Sequence, residues 1–112
     1  MASKPPKHYQ KFADTYRDIA KAYEELGAAT QAAGPLDKKT RALIKVAISI
    51  ATHQEGGAHS HVRKAIDAGA TKEELYHVAL LAIPTVGFPT AMAGLSFIDD
   101  VLQEKTPKHK NK

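Results

Sequence analysis

The stretch Lys38-Lys39-Thr40-Arg41-Ala42-Leu43-Ile44-Lys45-Val46-Ala47-Ile48-Ser49-Ile50-Ala51-Thr52 decides the fold. Its apolar residues (Leu43, Ile44, Val46, Ala47, Ile48, Ile50, Ala51) do not alternate as a half-buried strand requires. Wound at about 100° per residue, they cover nearly the whole circumference of a helix. A helix that is apolar all round is buried, so this one is expected at the centre of the domain. Asp37 stands at its cap position.

Toward the N-terminus, Tyr9, Phe12, Ala13, Tyr16, Ile19, Ala20, Tyr23 and Leu26 recur at three- and four-residue steps. They predict one amphipathic helix, with Gly27 as its stop. Ala28 to Pro35, ending in Gly34-Pro35, reads as a linker. Toward the C-terminus, Gly56-Gly57 interrupts the pattern, and a third helix is expected over about Ala58 to Ala68, closed by Gly69. Thr71-Lys72-Glu73-Glu74 spells a capping box. The helix it opens turns Leu75, Val78, Ala79, Ala82 and Ile83 inward and is expected to stop near Pro84. Pro89 suits the first turn of a last helix reaching about Gln103. No segment has a period of two. The reading is all-α, about five helices: an N-terminal helix and linker (residues 1–35), a helical core (36–103) and a basic tail (104–112) expected to be disordered, in a single domain.

The 112 residues contain no cysteine. That excludes disulfides, thiolate nucleophiles and every Cys-ligated metal or iron–sulfur centre. The net charge of +4 sits in the tails. Residues 1–11 carry +3, residues 104–112 carry +3, and residues 12–103 carry −2. A slightly acidic body is a poor nucleic-acid footprint, so no nucleic-acid partner is expected. No apolar run approaches the roughly 20 residues of a membrane span, and no secretory signal opens the chain. A cytoplasmic location without membrane association is the expectation.

Chemistry concentrates in His53-Gln54-Glu55-Gly56-Gly57-Ala58-His59-Ser60-His61. Histidine exchanges protons near neutral pH, so His61 with Glu55 or His53 nearby can do acid–base work. Were 53–61 helical throughout, His53, Gln54, Gly57 and His61 would share a face and His59 would point away. Metal binding by His53, Glu55, His59 and His61 is a second reading, although His-x-His spacing suits a strand better than a helix. A polar helix junction with satisfied histidines is a third, and spacing alone favours it. His77 rims the core or lines a pocket. Asp99 and Asp100, adjacent on a helix, do not converge as paired catalytic carboxylates would.

Three stretches carry a family likeness: residues 39–49, His61-Val62-Arg63-Lys64-Ala65, and Ala68-Gly69-Ala70-Thr71-Lys72-Glu73-Glu74-Leu75, with Gly87-Phe88-Pro89 beyond them. Together, over about Leu36 to Val101, they resemble the carboxymuconolactone decarboxylase family, which includes the alkylhydroperoxidase D-like proteins. The resemblance implies a helical subunit that forms homotrimers or homohexamers, with small-molecule sites near the polar junction. It implies, too, that the peroxidase branch's two cysteine positions hold Gln54 and Gly57 here, and that its glutamate position holds Ala42. Only His61 matches that relay, and without a thiolate no thiol peroxidase chemistry is possible. The expectation is cofactor-independent acid–base chemistry on a small anionic metabolite. His61, Glu55 and His59 are the catalytic candidates, and His53, Gln54, Arg63 and His77 the substrate-binding ones. No cofactor or metal ion is assigned. A non-catalytic oligomer that kept the fold is the alternative, as is a histidine-based metal binder.

Overall fold

A computed structural model of the chain describes residues 6–104, and these form six helices with no strand among them. They are α1 (Lys7–Thr15), α2 (Arg17–Ala32), α3 (Lys38–Ala51), α4 (Glu55–Asp67), α5 (Lys72–Val86) and α6 (Phe88–Glu104). The expected tail from Lys105 onward lies outside the described residues. The helices fall into two compact units that meet in sequence between Asp37 and Lys38.

In the first unit, the single expected helix is two. Tyr16 leaves the helical region at φ −122°, ψ 66°, while its N–H still bonds to the Phe12 carbonyl. One residue earlier, Thr15 Oγ1 donates to the Lys11 carbonyl at 2.8 Å. That back-bond competes with the helix ladder and bends the chain. The aromatic stripe then folds on itself: Tyr9 lies 5.9 Å from Phe12 and 6.5 Å from Tyr23 between ring centroids. Tyr9 Oη donates to Glu24 at 3.1 Å. Gly27 is not a stop, because α2 runs on to Ala32, well into the expected linker. A glycine ends a helix when the chain beyond it needs a positive φ; otherwise it costs only about 1 kcal/mol relative to alanine.

The second unit packs α3 to α6 around Val46, Ile50, Ala58, Val62, Ala65, Leu75, Ala79, Ile98 and Val101, all essentially inaccessible. Helix α3 touches all three of its companions, as a central helix should. Yet it is not buried all round. Ile44 and Ile48 remain 42% and 56% exposed, and with Leu43, Val78, Leu81 and Val86 they line an apolar groove between α3 and α5.

Two turns within this unit end in the same way. At the end of α3, the Gln54 N–H bonds to Ser49 O and the His53 N–H to Ile50 O, with His53 at φ +59°. At the end of α4, the Ala70 N–H bonds to Ala65 O and the Gly69 N–H to Ile66 O, with Gly69 at φ +100°. Both are Schellman closures, which need a left-handed residue at the turn. The Thr71 capping box forms as its spelling requires: Thr71 Oγ1 accepts from the Glu74 N–H, and Glu74 accepts from the Thr71 N–H. Glu74 also takes Lys39 Nζ at 2.9 Å, tying the starts of α3 and α5 together. Proline 84 does not stop α5, which continues to Val86. The carbonyl left without its N–H partner belongs to exposed Leu80, where water can serve it. Gly87, at φ +107°, makes the break.

Helices α3 and α6 meet at Gly94. A Cβ there would sit 2.7, 2.8 and 3.1 Å from Cγ2, Cδ1 and Cγ1 of Ile50. Gly94→Ala is therefore expected to cost about 1–3 kcal/mol in urea unfolding. In an Ile50→Ala background all three conflicting atoms are gone, so the double variant should lose less than the sum of the singles.

Candidate functional site

The polar junction begins with a residue at a conformational disadvantage. His53, at φ +59°, has an exposed side chain and occupies a position that glycine fills more easily. Its role is to close α3, and it precedes the helix that carries the other candidates. His53→Gly should raise unfolding stability by about 1 kcal/mol, measured by denaturant midpoint. A residue needed for substrate would instead lose binding.

Helix α4 starts at Glu55, so Gly56 and Gly57 are helical rather than a break. Gln54 occupies the cap position with no side-chain cap hydrogen bond. Its side chain lies over the bare backbone of Gly57: a Cβ there would stand 3.3 Å from Gln54 Oε1 and 3.5 Å from Ser49 Oγ. Ser49 is the one buried polar side chain among the described residues.

From Glu55 onward the helical period sorts the candidates onto two faces. Glu55, His59 and Arg63 succeed one another at four-residue steps and face α6. His59 Nε2 is 3.0 Å from Asp100 Oδ2 and 4.0 Å from Glu55 Oε2. Its ring stands edge-on to Phe97 at 5.8 Å. One turn further, Arg63 Nε and Nη2 donate to the two carboxylate oxygens of Glu104 at 3.0 and 2.7 Å. That bidentate bond holds the guanidinium's pKa above its ordinary value, against the opposing effect of burial. Arg63, expected to bind substrate, is therefore already committed to a carboxylate.

His61 is two residues from His59, about 200° around the helix. It is half-buried, and its charged neighbours are Lys64 on its own helix and Lys45 on α3. Burial first, then these two ammonium groups, hold the imidazole's pKa below its ordinary value. The expected catalytic trio is thus divided: Glu55 and His59 converge, and His61 looks elsewhere. His77 lies exposed on α5.

Sequence reasoning missed Lys45 and Asp100. Asp99 and Asp100 do not converge, as expected, but they are more than a solvated pair. Adjacent residues on a helix point about 100° apart, so each reaches a different neighbour. Asp99 accepts the Tyr76 hydroxyl at 2.5 Å, pushing the phenol's pKa up, and Asp100 meets His59. The available signal was the matching spacing of Glu55, His59 and Arg63 with Asp100 and Glu104, two four-step ladders of complementary polarity.

The model of the carboxymuconolactone decarboxylase family matches residues 17–100. The chain belongs to that family, and the match takes in α2 as well as the α3–α6 unit. Among solved structures, it is similar to the apo crystal structure of a carboxymuconolactone decarboxylase family protein from Legionella pneumophila. The TM-score is 0.78 at 25% identity, covering 88% of each chain. No curated protein matches the sequence. No helix among the described residues is long and apolar enough to cross a membrane.

Proposed function

We propose that the protein performs cofactor-independent acid–base chemistry on a small anionic metabolite, with His61 as the proton-transferring group. The observation that carries this reading is a half-buried imidazole that has Lys45 and Lys64 as its charged neighbours. Two ammonium groups beside a proton carrier suit a substrate that brings carboxylates. The family's name supplies the concrete case, a carboxylated muconolactone. When its carboxylate leaves as CO2, the electron pair of the broken C–C bond enters the conjugated ring system and a proton must follow. His61 delivers that proton and recovers one from water, so the residue emerges unchanged. Glu55 and His59 act from the other face of α4 and take no part in this step. Arg63 stays with Glu104, leaving the two lysines to hold the anion.

Self-association belongs to the same reading. The apolar groove between α3 and α5 suits a second copy of the chain, and burying it would relieve the exposure of Ile44, Ile48 and Leu81.

The test is turnover of carboxymuconolactone and related lactone carboxylates, followed by ultraviolet absorbance. Wild-type protein should consume at least one of them and His61→Ala should not. Equal turnover by the two proteins would sink the proposal.

A further inference from the structure

Apart from His61, the densest convergence of ligating atoms is at the seam of α4 and α6. Nε2 of His59 and carboxylate oxygens of Glu55 and Asp100 all lie within 4.8 Å of one another. We propose that Glu55, His59 and Asp100 form a binding site for a divalent first-row cation, with zinc as its natural size and geometry.

Three features of the seam carry this. The first is spacing. Glu55 and His59 are four residues apart on one helix, which sets both over the same point, and Asp100 closes the set from a second helix. Donors about 2.0–2.2 Å from a tetrahedral ion stand about 3.4 Å from each other. The separations of 3.0 and 4.0 Å from His59 Nε2 bracket that value, so side-chain rotation alone closes the set.

The second is preorganisation. The His59 ring is held by Phe97 on α6, so the imidazole is already turned toward Asp100. The helices beneath are fixed by Ala58 and Val62 on α4 and Ile98 and Val101 on α6, all fully buried.

The third is charge. Among the described residues, the two carboxylates face a single imidazole, and neither is paired with a lysine or arginine. The next rung, Arg63 with Glu104, shows how this same seam neutralises a carboxylate when it uses a side chain. A cation completes the first rung in the same way. Three protein donors with Glu55 and Asp100 reaching solvent leave at least one position for water, the arrangement of an open rather than a structural site. The ligand set differs from the histidine cluster that spacing suggested: Asp100 enters, and His53 and His61 drop out.

The experiment is calorimetric titration of the full, untagged chain with zinc chloride alone. One saturable site is expected. Glu55→Gln, Asp100→Asn and His59→Gln should each weaken it by about 100-fold, at least what losing a mere outer partner costs. His53→Gln and His61→Gln should leave it unchanged, with circular dichroism checking that every variant keeps its helices. In parallel, zinc should move the His59 ring resonances, assigned by their loss in His59→Gln, and not those of His77. Zinc binding that survives unweakened in the Glu55→Gln/Asp100→Asn double variant, or no saturable binding at submillimolar zinc, overturns the proposal. Either result leaves the His61 reading standing, because the two clusters occupy different faces of α4.

Discussion

Leu75→Ala is expected to lower the unfolding free energy by about 2–5 kcal/mol, while Leu81→Ala, further along the same helix, changes it little. Leu75 is fully buried in the core of the α3–α6 unit, directly after the capping box, and truncating it leaves a cavity that its neighbours cannot fill. Leu81 is 58% exposed, so in an isolated chain its removal gives up almost nothing. For a unit of this size each kcal/mol moves the melting temperature by about 4–8 °C, so the two variants should separate clearly in one thermal scan. A third variant links stability to assembly. If copies meet through the α3–α5 groove, Leu81→Lys should shift the mass measured by light scattering toward the monomer while the helices persist. An unchanged mass would remove that groove as the contact.

The same pair of leucines shows where the sequence was legible and where it was not. Leu81 lies in an apolar run, Val78-Ala79-Leu80-Leu81-Ala82-Ile83, and Leu75 just ahead of it, with only the helical period to separate inward from outward. That period assigned Leu75 and Ala79 correctly. For α3 the expectation goes further than the structure, since apolarity all round predicts burial all round. Ile44 and Ile48 are exposed, and an apolar side chain that faces a partner reads the same as one that faces the core. Local hydrogen-bond chemistry was the most legible of all. Thr71 and Glu74 specify their own cap, and Gly69 its own left-handed turn. Breaks were the least legible. Gly27 and Gly56-Gly57 remain helical and Tyr16 does not, because a helix end depends on what the next residues must do as well as on propensity.

For the site, the sequence gathers its main candidates in nine residues and, read as one helix, already sets His59 apart from His61. Two residues apart, His59 and His61 take opposite sides of any helix that holds both, and the packing of α4 decides which neighbour each meets. With the start at Glu55, His59 falls opposite Asp100. His61 has Lys45, a charged residue inside the apolar run of α3, as a neighbour. Contacts between helices 41 residues apart, such as Arg63 with Glu104, have no local signature beyond matched spacing.

The division of roles on His61's face makes the largest functional prediction. His61→Ala should cut kcat/KM for a carboxylated lactone by about 10²–10⁴-fold, the range for losing a positioned proton-transfer group. The loss should lie in kcat, because the imidazole acts on a proton that moves only during reaction. Lys45→Gln and Lys64→Gln should do the reverse. If the two lysines hold the anion before and during reaction alike, KM rises while kcat changes less. A purely structural role for His61 would not produce this split, and it would not permit rescue. Free imidazole added to His61→Ala can enter the half-buried space that the side chain vacates and restore part of the rate in proportion to its concentration. Rescue should fail in Lys45→Gln, whose proton carrier is intact and whose defect is binding. If imidazole restores nothing, and all three variants lose kcat alike, then His61 supports the fold of α4 and proton transfer belongs to another residue.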